Sequence, residues 1–281
     1  MKRSGHETLW LIAHALGVNH SSVYARSEFS DDEQAKIEAV IARREMGEPL
    51  QYIMGEADFF GRDFVVGEGV LIPRHDTETL IYAAMKLFAH DEKFTFIDWG
   101  TGSGCIGATL LMEFPEARGY LVEASYDAAN YAMANLSRYD LADRAIILPD
   151  MTTLHECRVI ISNPPYIPSG EIAGLMKTVR DYEPRSALDG GLDGLMCYRQ
   201  IFREADRLMC EYIILEIGSL NQLQSLQSMS KNFTLCDKVY DDGNFPRCLV
   251  FRRSDVHETC WGNFNRSHYC YDHFQCNLCR H

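Results

Sequence analysis

The 281-residue sequence predicts an α/β protein built around a parallel sheet, and three features indicate this class. An apolar run at residues 94–98 leads into a glycine-rich turn and then into a segment of helical character. Two more apolar runs, residues 120–123 and 145–148, each end in or close to a carboxylate. A fourth run, residues 159–161, comes just before Asn163-Pro164-Pro165-Tyr166. Short apolar runs bounded by turns and helices are typical of buried strands in such sheets.

The N-terminal part of the chain predicts helices that are separate from the sheet. Ser30 and Glu33 fit a capping box, and apolar residues follow at helical spacing until Gly47 stops the pattern. Residues 7–16 predict another helix. The predicted divisions of the chain are a short helical domain at 1–48, a linker with a β-hairpin at 49–80, the sheet domain at 81–253 and a Cys/His-rich tail at 254–281.

The glycine-rich turn after the first run indicates a nucleotide cofactor that carries an amino-acid group. Its sequence is Asp98-Trp99-Gly100-Thr101-Gly102-Ser103-Gly104, and glycines at alternate positions let a ligand approach the backbone closely. A dinucleotide fingerprint needs a glycine at position 105, where this chain has Cys105. Asp98 would repel a pyrophosphate but accept a hydrogen bond from an ammonium group. S-adenosyl-L-methionine is a cofactor of that kind.

Carboxylates at the ends of the next two runs support the same kind of site. Glu123 follows the second run at the distance where a carboxylate binds the two ribose hydroxyls of a nucleotide. Asp150 and Met151 follow the third run and are predicted to flank the adenine. For Asp150 alone, a solvated strand end is an equally good interpretation.

The segment Asn163-Pro164-Pro165-Tyr166 indicates methylation of a planar nitrogen. The lone pair of an amide or aromatic amine is delocalised, so such a nitrogen attacks a methyl sulfonium only when it is held in line. The side-chain oxygen of Asn163 and the main-chain oxygen of Pro164 can bind its two N–H protons, while Tyr166 offers a flat face for stacking. Consecutive prolines fix the backbone that carries these acceptors. The alternative interpretation is a turn that merely closes a strand.

With its flanking segments, the sequence resembles the HemK/PrmC family of protein-(glutamine-N5) methyltransferases, which act on peptide chain release factors. The resemblance covers roughly positions 47–253. Besides the glycine turn and the Asn-Pro-Pro-Tyr segment, it rests on GEPLQYIMG at 47–55, FFGRDF at 59–64, LIPRHDTETL at 71–80, YEPRSAL at 182–188 and GGLDGL at 190–195. The chain departs from the family pattern at His75 and Asp76, where proline and glutamate are usual, and at Glu123, where aspartate is usual.

The resemblance implies a class I, Rossmann-like S-adenosyl-L-methionine-dependent methyltransferase with a seven-stranded, mostly parallel sheet. It implies methylation of the glutamine in the GGQ motif of a release factor. In that family a helical N-terminal domain helps to hold the release factor, and we expect a shortened form of it here; a helical cap that serves only stability is the alternative. It also places Arg74, Glu78 and Glu183 near the substrate channel. The remaining predicted elements are a helix at 195–209 and strands at 212–217, 231–238 and 248–251.

Two other functions remain open at this point. An N6-adenine methyltransferase of DNA or RNA holds its target nitrogen with the same clamp, the segment at residues 163–166. A basic groove around Tyr166 would favour that function. A protein that binds the cofactor without turnover is the second alternative. The formal net charge of −13 argues against general nucleic-acid binding and favours a protein substrate.

The two ends of the chain give further expectations. No apolar run approaches the roughly 20 residues of a membrane helix, and no signal peptide is apparent, so we expect a cytoplasmic protein. In the tail, Cys270, His273, Cys276 and Cys279 have the ligand types of a zinc site but not a standard spacing. A zinc site and an extension without a function are both open for this segment.

Overall fold

The computed structural model describes residues 5–254, and these begin with four helices. They are α1 at Gly5–Leu16, α2 at His20–Tyr24, α3 at Asp31–Glu45 and α4 at Leu50–Met54. The predicted capping box is confirmed, because Ser30 Oγ accepts from the Glu33 N–H at 3.3 Å while the Glu33 carboxylate accepts from the Ser30 N–H at 3.1 Å. These bonds satisfy two of the free N–H groups at the start of α3.

A β-hairpin follows, as predicted within residues 49–80. Its strands are β1 at Glu56–Phe59 and β2 at Arg62–Val65, and they pair antiparallel. A short 3₁₀ turn at His75–Thr77 leads into helix α5 at Glu78–Leu87. The turn brings Thr77 into the protein interior, where it is buried.

The main sheet has seven strands in the order β5-β4-β3-β6-β7-β9-β8. Its elements in chain order are β3 at Thr95–Trp99, α6 at Cys105–Glu113, β4 at Arg118–Val122, α7 at Tyr126–Arg138, β5 at Ala145–Leu148, β6 at Val159–Ser162, α8 at Lys177–Arg180, α9 at Met196–Arg207, β7 at Tyr212–Glu216, α10 at Leu220–Met229, β8 at Phe233–Tyr240 and β9 at Pro246–Arg253. Strand β9 pairs antiparallel with both β7 and β8, and all the other pairs of the sheet are parallel, so the predicted mostly parallel sheet is confirmed.

The core lies on both faces of this sheet, which explains why the strands are continuous apolar runs. On β6, Ile161 packs into a cluster on one face with residues of α5 and α6. Its neighbour Ile160 packs into a second cluster on the other face with residues of α9. Among the described residues, no helix is both long and apolar enough to cross a membrane.

Candidate active site

The carboxyl ends of the parallel strands meet at one edge of the sheet, and the site residues lie there. The chain order reverses between β3 and β6, since β4 and β5 lie on one side of β3 and β6 and β7 on the other. Ligands of open α/β sheets bind at such a switch point. Asp98 lies within β3, Glu123 directly follows β4, Asn163 follows β6 and Glu216 ends β7.

Asp98 is fully buried beneath the glycine-rich turn. Its Oδ2 accepts hydrogen bonds from the Thr101 hydroxyl and from the Gly107 N–H, the latter at 2.9 Å. Its Oδ1 is buried and has no hydrogen-bond partner among the described residues. Burial raises the pKa of Asp98 to about 7, against the lowering effect of these two hydrogen bonds. An unpaired carboxylate oxygen in this position is an acceptor suited to a cationic group.

The turn requires glycine at three positions, because Gly100, Gly102 and Gly104 have φ values of +70°, +57° and +79°. At Gly104 an added Cβ would lie 3.1 Å from the Cα of Ala132, so this glycine also allows the start of α6 to lie close to α7. At Gly100 an added Cβ would meet nothing within 4 Å. The backbone at Gly100 therefore faces open space that a ligand can enter. Ser103, the remaining predicted turn residue, is buried, and its carbonyl accepts from Asn135.

Glu123 connects the turn to the end of β4. Its two carboxylate oxygens accept from the Gly102 N–H at 2.9 Å and from the Ser125 N–H at 2.8 Å. Each oxygen retains a further lone pair for a ribose hydroxyl. Asp150 is exposed and accepts from the Thr152 N–H at 2.8 Å, and hydrogen bonds from Thr152 lower its pKa.

These features fit S-adenosyl-L-methionine. The unpaired Asp98 oxygen suits an ammonium group, the open backbone at Gly100 admits the ligand, and Glu123 presents carboxylate oxygens beside the turn. Met151 is buried next to the exposed Asp150. The individual roles of these residues remain predictions.

The clamp after β6 presents two free acceptors. The Asn163 Nδ2 donates to the Thr77 hydroxyl oxygen at 3.0 Å, which fixes the side-chain amide. Among the described residues, none donates a hydrogen bond to the Asn163 Oδ1 or to the carbonyl oxygen of the buried Pro164. Neither oxygen that the sequence singled out therefore has a partner among these residues, and its contact with a substrate N–H group remains a prediction.

Tyr166 is half-buried and tightly braced. Its hydroxyl donates to the Glu216 Oε1 at 3.3 Å, and its carbonyl accepts from the Gln222 Nε2 at 2.8 Å. A Cβ at Gly218 would lie 2.6 Å from the Tyr166 ring, and one at Gly190 would lie 2.8 Å from the Pro165 carbonyl oxygen. Burial and the nearby Glu216 raise the pKa of Tyr166, so it remains a neutral phenol.

The residues predicted near the substrate channel make contacts within the protein. Arg74 forms an ion pair with the buried Glu183, whose other oxygen has no partner among the described residues. Glu78 accepts from the Phe60 N–H at 2.9 Å and faces the exposed His75 at 3.3 Å. Arg74 and Glu183 therefore tie two segments together, and Glu78 ties the hairpin to α5. Their contacts with a substrate remain predictions.

Four residues that support the clamp were not predicted: Thr77, Glu216, Gly218 and Gln222. Glu216 had the same signal as Asp98 and Glu123, namely a carboxylate at the end of a buried strand. Gly218 and Gln222 had no local signal, because their role depends on contact with Tyr166. The predicted zinc ligands Cys270, His273, Cys276 and Cys279 lie outside the described residues.

Comparisons with known proteins agree with this geometry. The chain matches the family models of the PrmC N-terminal domain over residues 2–55 and of the methyltransferase small domain over residues 76–177. The release factor glutamine methyltransferase of Geobacter sulfurreducens is 38% identical over 241 residues, covering 82% of each chain. That of Agrobacterium fabrum is 37% identical and covers 86% of this chain and 88% of its own.

A solved structure shows the same fold at low identity. The hMettl16 catalytic domain, in complex with the MAT2A 3'UTR hairpin 1, has a TM-score of 0.50 and 16% identity, covering 81% of this chain and 83% of its own. The fold and the site define a class I S-adenosyl-L-methionine-dependent methyltransferase. Within that class, the chain belongs to the release factor glutamine methyltransferase family.

Proposed function

We propose that the protein transfers a methyl group from S-adenosyl-L-methionine to the side-chain amide nitrogen of the glutamine in the GGQ motif of a peptide chain release factor. The observation that carries the proposal is the pair of free acceptors on Asn163 and Pro164, held at the end of β6. The relatives from Geobacter sulfurreducens and Agrobacterium fabrum are both named release factor glutamine methyltransferases, which agrees with this reaction.

The cofactor, when bound, supplies an electrophilic methyl group on a sulfonium. We assign Asp98 to its ammonium group, Glu123 to its ribose hydroxyls, and Asp150 with Met151 to its adenine. The wall between these groups is the turn backbone of Gly100, Thr101, Gly102, Ser103 and Gly104. Because Asp98 and Glu123 are anchored by backbone N–H groups, they are positioned before the cofactor arrives.

The clamp orients the reacting amide. The Asn163 side-chain oxygen and the Pro164 carbonyl accept its two N–H protons, which fixes the plane of the nitrogen and directs its lone pair. Positioning of this kind can lower a barrier by roughly 7–11 kcal/mol in the most favourable cases. Pro165 keeps the clamp rigid and Tyr166 packs on the amide. A strong base is not needed, because the amide proton becomes acidic as the nitrogen is alkylated.

The surroundings of Tyr166 favour a protein substrate over nucleic acid. The carboxylate of Glu216 accepts a hydrogen bond from the Tyr166 hydroxyl. The nearby Arg247 is paired with Asp76 at 3.1 Å and with Asp241 at 3.0 Å. A basic groove, which an N6-adenine methyltransferase would need, is therefore not formed by these residues.

The parts outside the clamp are assigned to substrate recognition. We propose that the helical domain at 1–48 and the linker at 49–80 contact the release factor, while the catalytic domain spans 81–253. Arg74, Glu78 and Glu183 are assigned to the channel that admits the GGQ loop. A cytoplasmic location belongs to the proposal, because release factors act on translating ribosomes.

The experiment offers labelled S-adenosyl-L-methionine with purified release factor, DNA and RNA side by side, using the wild type and Asn163→Ala. We expect label on the release factor alone, and loss of that label in the variant. Asp143→Asn, at an exposed position just before β5 and so at the opposite end of that strand from the site, is the control that retains activity. Label on nucleic acid instead would mean that the clamp acts on adenine.

A further inference from the structure

Glu216 is a buried acid to which the proposed reaction gives no role beyond its contact with Tyr166. It ends β7, directly beside β6, and only 2% of it is exposed. Its Oε1 accepts from the Tyr166 hydroxyl at 3.3 Å, whereas its Oε2 is buried and accepts no hydrogen bond from the described residues. A carboxylate held in this way costs stability, so its presence behind the clamp needs a functional reason.

Thr77 lies between Glu216 and the clamp. Its hydroxyl oxygen accepts the hydrogen bond from the Asn163 Nδ2 at 3.0 Å. The same hydroxyl lies close enough to the Glu216 carboxylate to lower the pKa of that group, although no hydrogen bond joins the two among the described residues. A hydroxyl has one proton to donate, while an ionised carboxylate can only accept. The negative charge of ionised Glu216 attracts the Thr77 proton, so the Thr77 lone pairs are directed to Asn163.

We propose that ionised Glu216 is a positioning residue that, through Thr77, fixes which way the Asn163 amide faces. With the amide nitrogen turned inward to Thr77, the Asn163 side-chain oxygen faces the substrate as an acceptor. The inference rests on the proposed function of Asn163 in binding the glutamine amide. It assigns Glu216 to the orientation of Asn163 although, among the described residues, no hydrogen bond joins the two side chains.

A neutral group at position 216 removes this control. Protonated Glu216, or glutamine in its place, carries no negative charge to attract the Thr77 proton, which is then free to turn towards Asn163. The Asn163 amide can accept that proton only through its oxygen, which requires the amide to rotate by half a turn. Its NH2 group would then face the NH2 group of the substrate. Two donors in opposition cannot bind each other.

The charges around Glu216 determine the pH at which this occurs. Burial raises the pKa of Glu216 to about 7. Arg247 lowers it and Asp76 raises it, although Arg247 is shared with Asp76 and Asp241. The other titratable neighbours are Tyr166, Tyr198 and Cys248. Burial raises the pKa of each of these three, so all remain neutral while Glu216 titrates.

The test measures kcat and KM between pH 6 and pH 9 (about one to two units on either side of neutrality) for the wild type, Glu216→Gln and Thr77→Val, with Thr77→Ser as the matched control that keeps the hydroxyl. We expect the wild-type kcat to fall below about pH 7. Glu216→Gln should lower kcat at high pH by about 10- to 100-fold and abolish the inflection. Thr77→Val should lower kcat to a similar extent, whereas Thr77→Ser should retain most of the wild-type kcat. The double variant Glu216→Gln/Thr77→Val should have a kcat no lower than that of either single variant, because both changes act on the same contact.

Cofactor affinity and thermal unfolding of each variant report on folding. If Glu216→Gln fails to fold, the comparison of Thr77→Val with Thr77→Ser decides the matter, because Asp98 also has a pKa of about 7 and can add its own inflection to the wild-type profile. A Glu216→Gln enzyme with wild-type kcat and an unchanged inflection would overturn the inference, as would full activity in Thr77→Val. The comparison uses whichever substrate the wild type methylates. Label on nucleic acid alone would therefore overturn the proposed function while the same variants still decide the role of Glu216.

Discussion

Replacing Asp98 by asparagine should weaken cofactor binding and at the same time stabilise the protein without ligand. Asp98 is fully buried, and its Oδ1 has no partner among the described residues. Asparagine keeps the shape and can still accept from Thr101 and Gly107, but it presents no negative charge to an ammonium group. A hydrogen bond to a charged group contributes about 1.5–3 kcal/mol, so the Kd should rise by about 10- to 150-fold.

The stability effect follows from the pKa of Asp98, which burial raises from 3.8 to about 7. Because the folded protein holds this proton more tightly than the unfolded chain, the free energy of unfolding falls as pH rises from about 4 to about 7. The difference between the two pKa values corresponds to about 4 kcal/mol, which is an upper bound because the protein relaxes around the charge. An asparagine side chain does not titrate, so the variant should avoid this loss.

The assays are calorimetric titration with S-adenosyl-L-methionine and denaturant unfolding at pH 4.5 and pH 8 (roughly the two ends of the range in which stability falls). At the higher pH we expect Asp98→Asn to bind more weakly and to be more stable than the wild type, while at the lower pH the two should differ little in stability. Asp143→Asn, at an exposed position, should change neither quantity. Wild-type affinity in Asp98→Asn, or a lower stability than wild type at pH 8, would refute the reasoning.

Three further changes test other parts of the structure. Gly218→Ala places a Cβ 2.6 Å from the Tyr166 ring and should lower kcat/KM by about tenfold or more with cofactor affinity retained, whereas unchanged kinetics would show that the ring is free to move. Arg74→Ala leaves the buried Glu183 unpaired and should destabilise the protein by about 1–3 kcal/mol in denaturant unfolding, with Arg74→Ala/Glu183→Gln recovering part of the loss. Zinc analysis with and without residues 254–281 should find no metal in either protein, and stoichiometric zinc only in the longer one would assign a metal site to the tail.

The sheet was predictable because its strands have a local signal. The runs at β3 and β6 are apolar on both faces, since helices cover the sheet on each side. The edge strand β8 runs over Phe233–Tyr240 rather than over residues 231–238, and its pairing with β9 is irregular between Leu235 and Asp237 and again between Val239 and Tyr240. Pairing between strands leaves no mark in the sequence of one strand, so such boundaries could not be predicted.

The site also has a part that was predictable from local sequence and a part that was not. Asn163 and Pro164 belong to one short segment whose composition indicates its chemistry, and Asp98 belongs to another. Their supports come from distant parts of the chain, since the bond between Thr77 and Asn163 spans 86 positions and that between Tyr166 and Glu216 spans 50. A threonine in a 3₁₀ turn has no periodicity that would mark it as a partner of the clamp.

The central claim is that Asn163 and Pro164 direct methylation to a glutamine amide. The most direct measurement is mass spectrometry of the GGQ peptide from a release factor that has been incubated with the protein and S-adenosyl-L-methionine. We expect the mass of one methyl group on the side-chain nitrogen of that glutamine with the wild type, and none with Asn163→Ala. An unmodified GGQ glutamine, or a methyl group at another residue of the release factor, would contradict it.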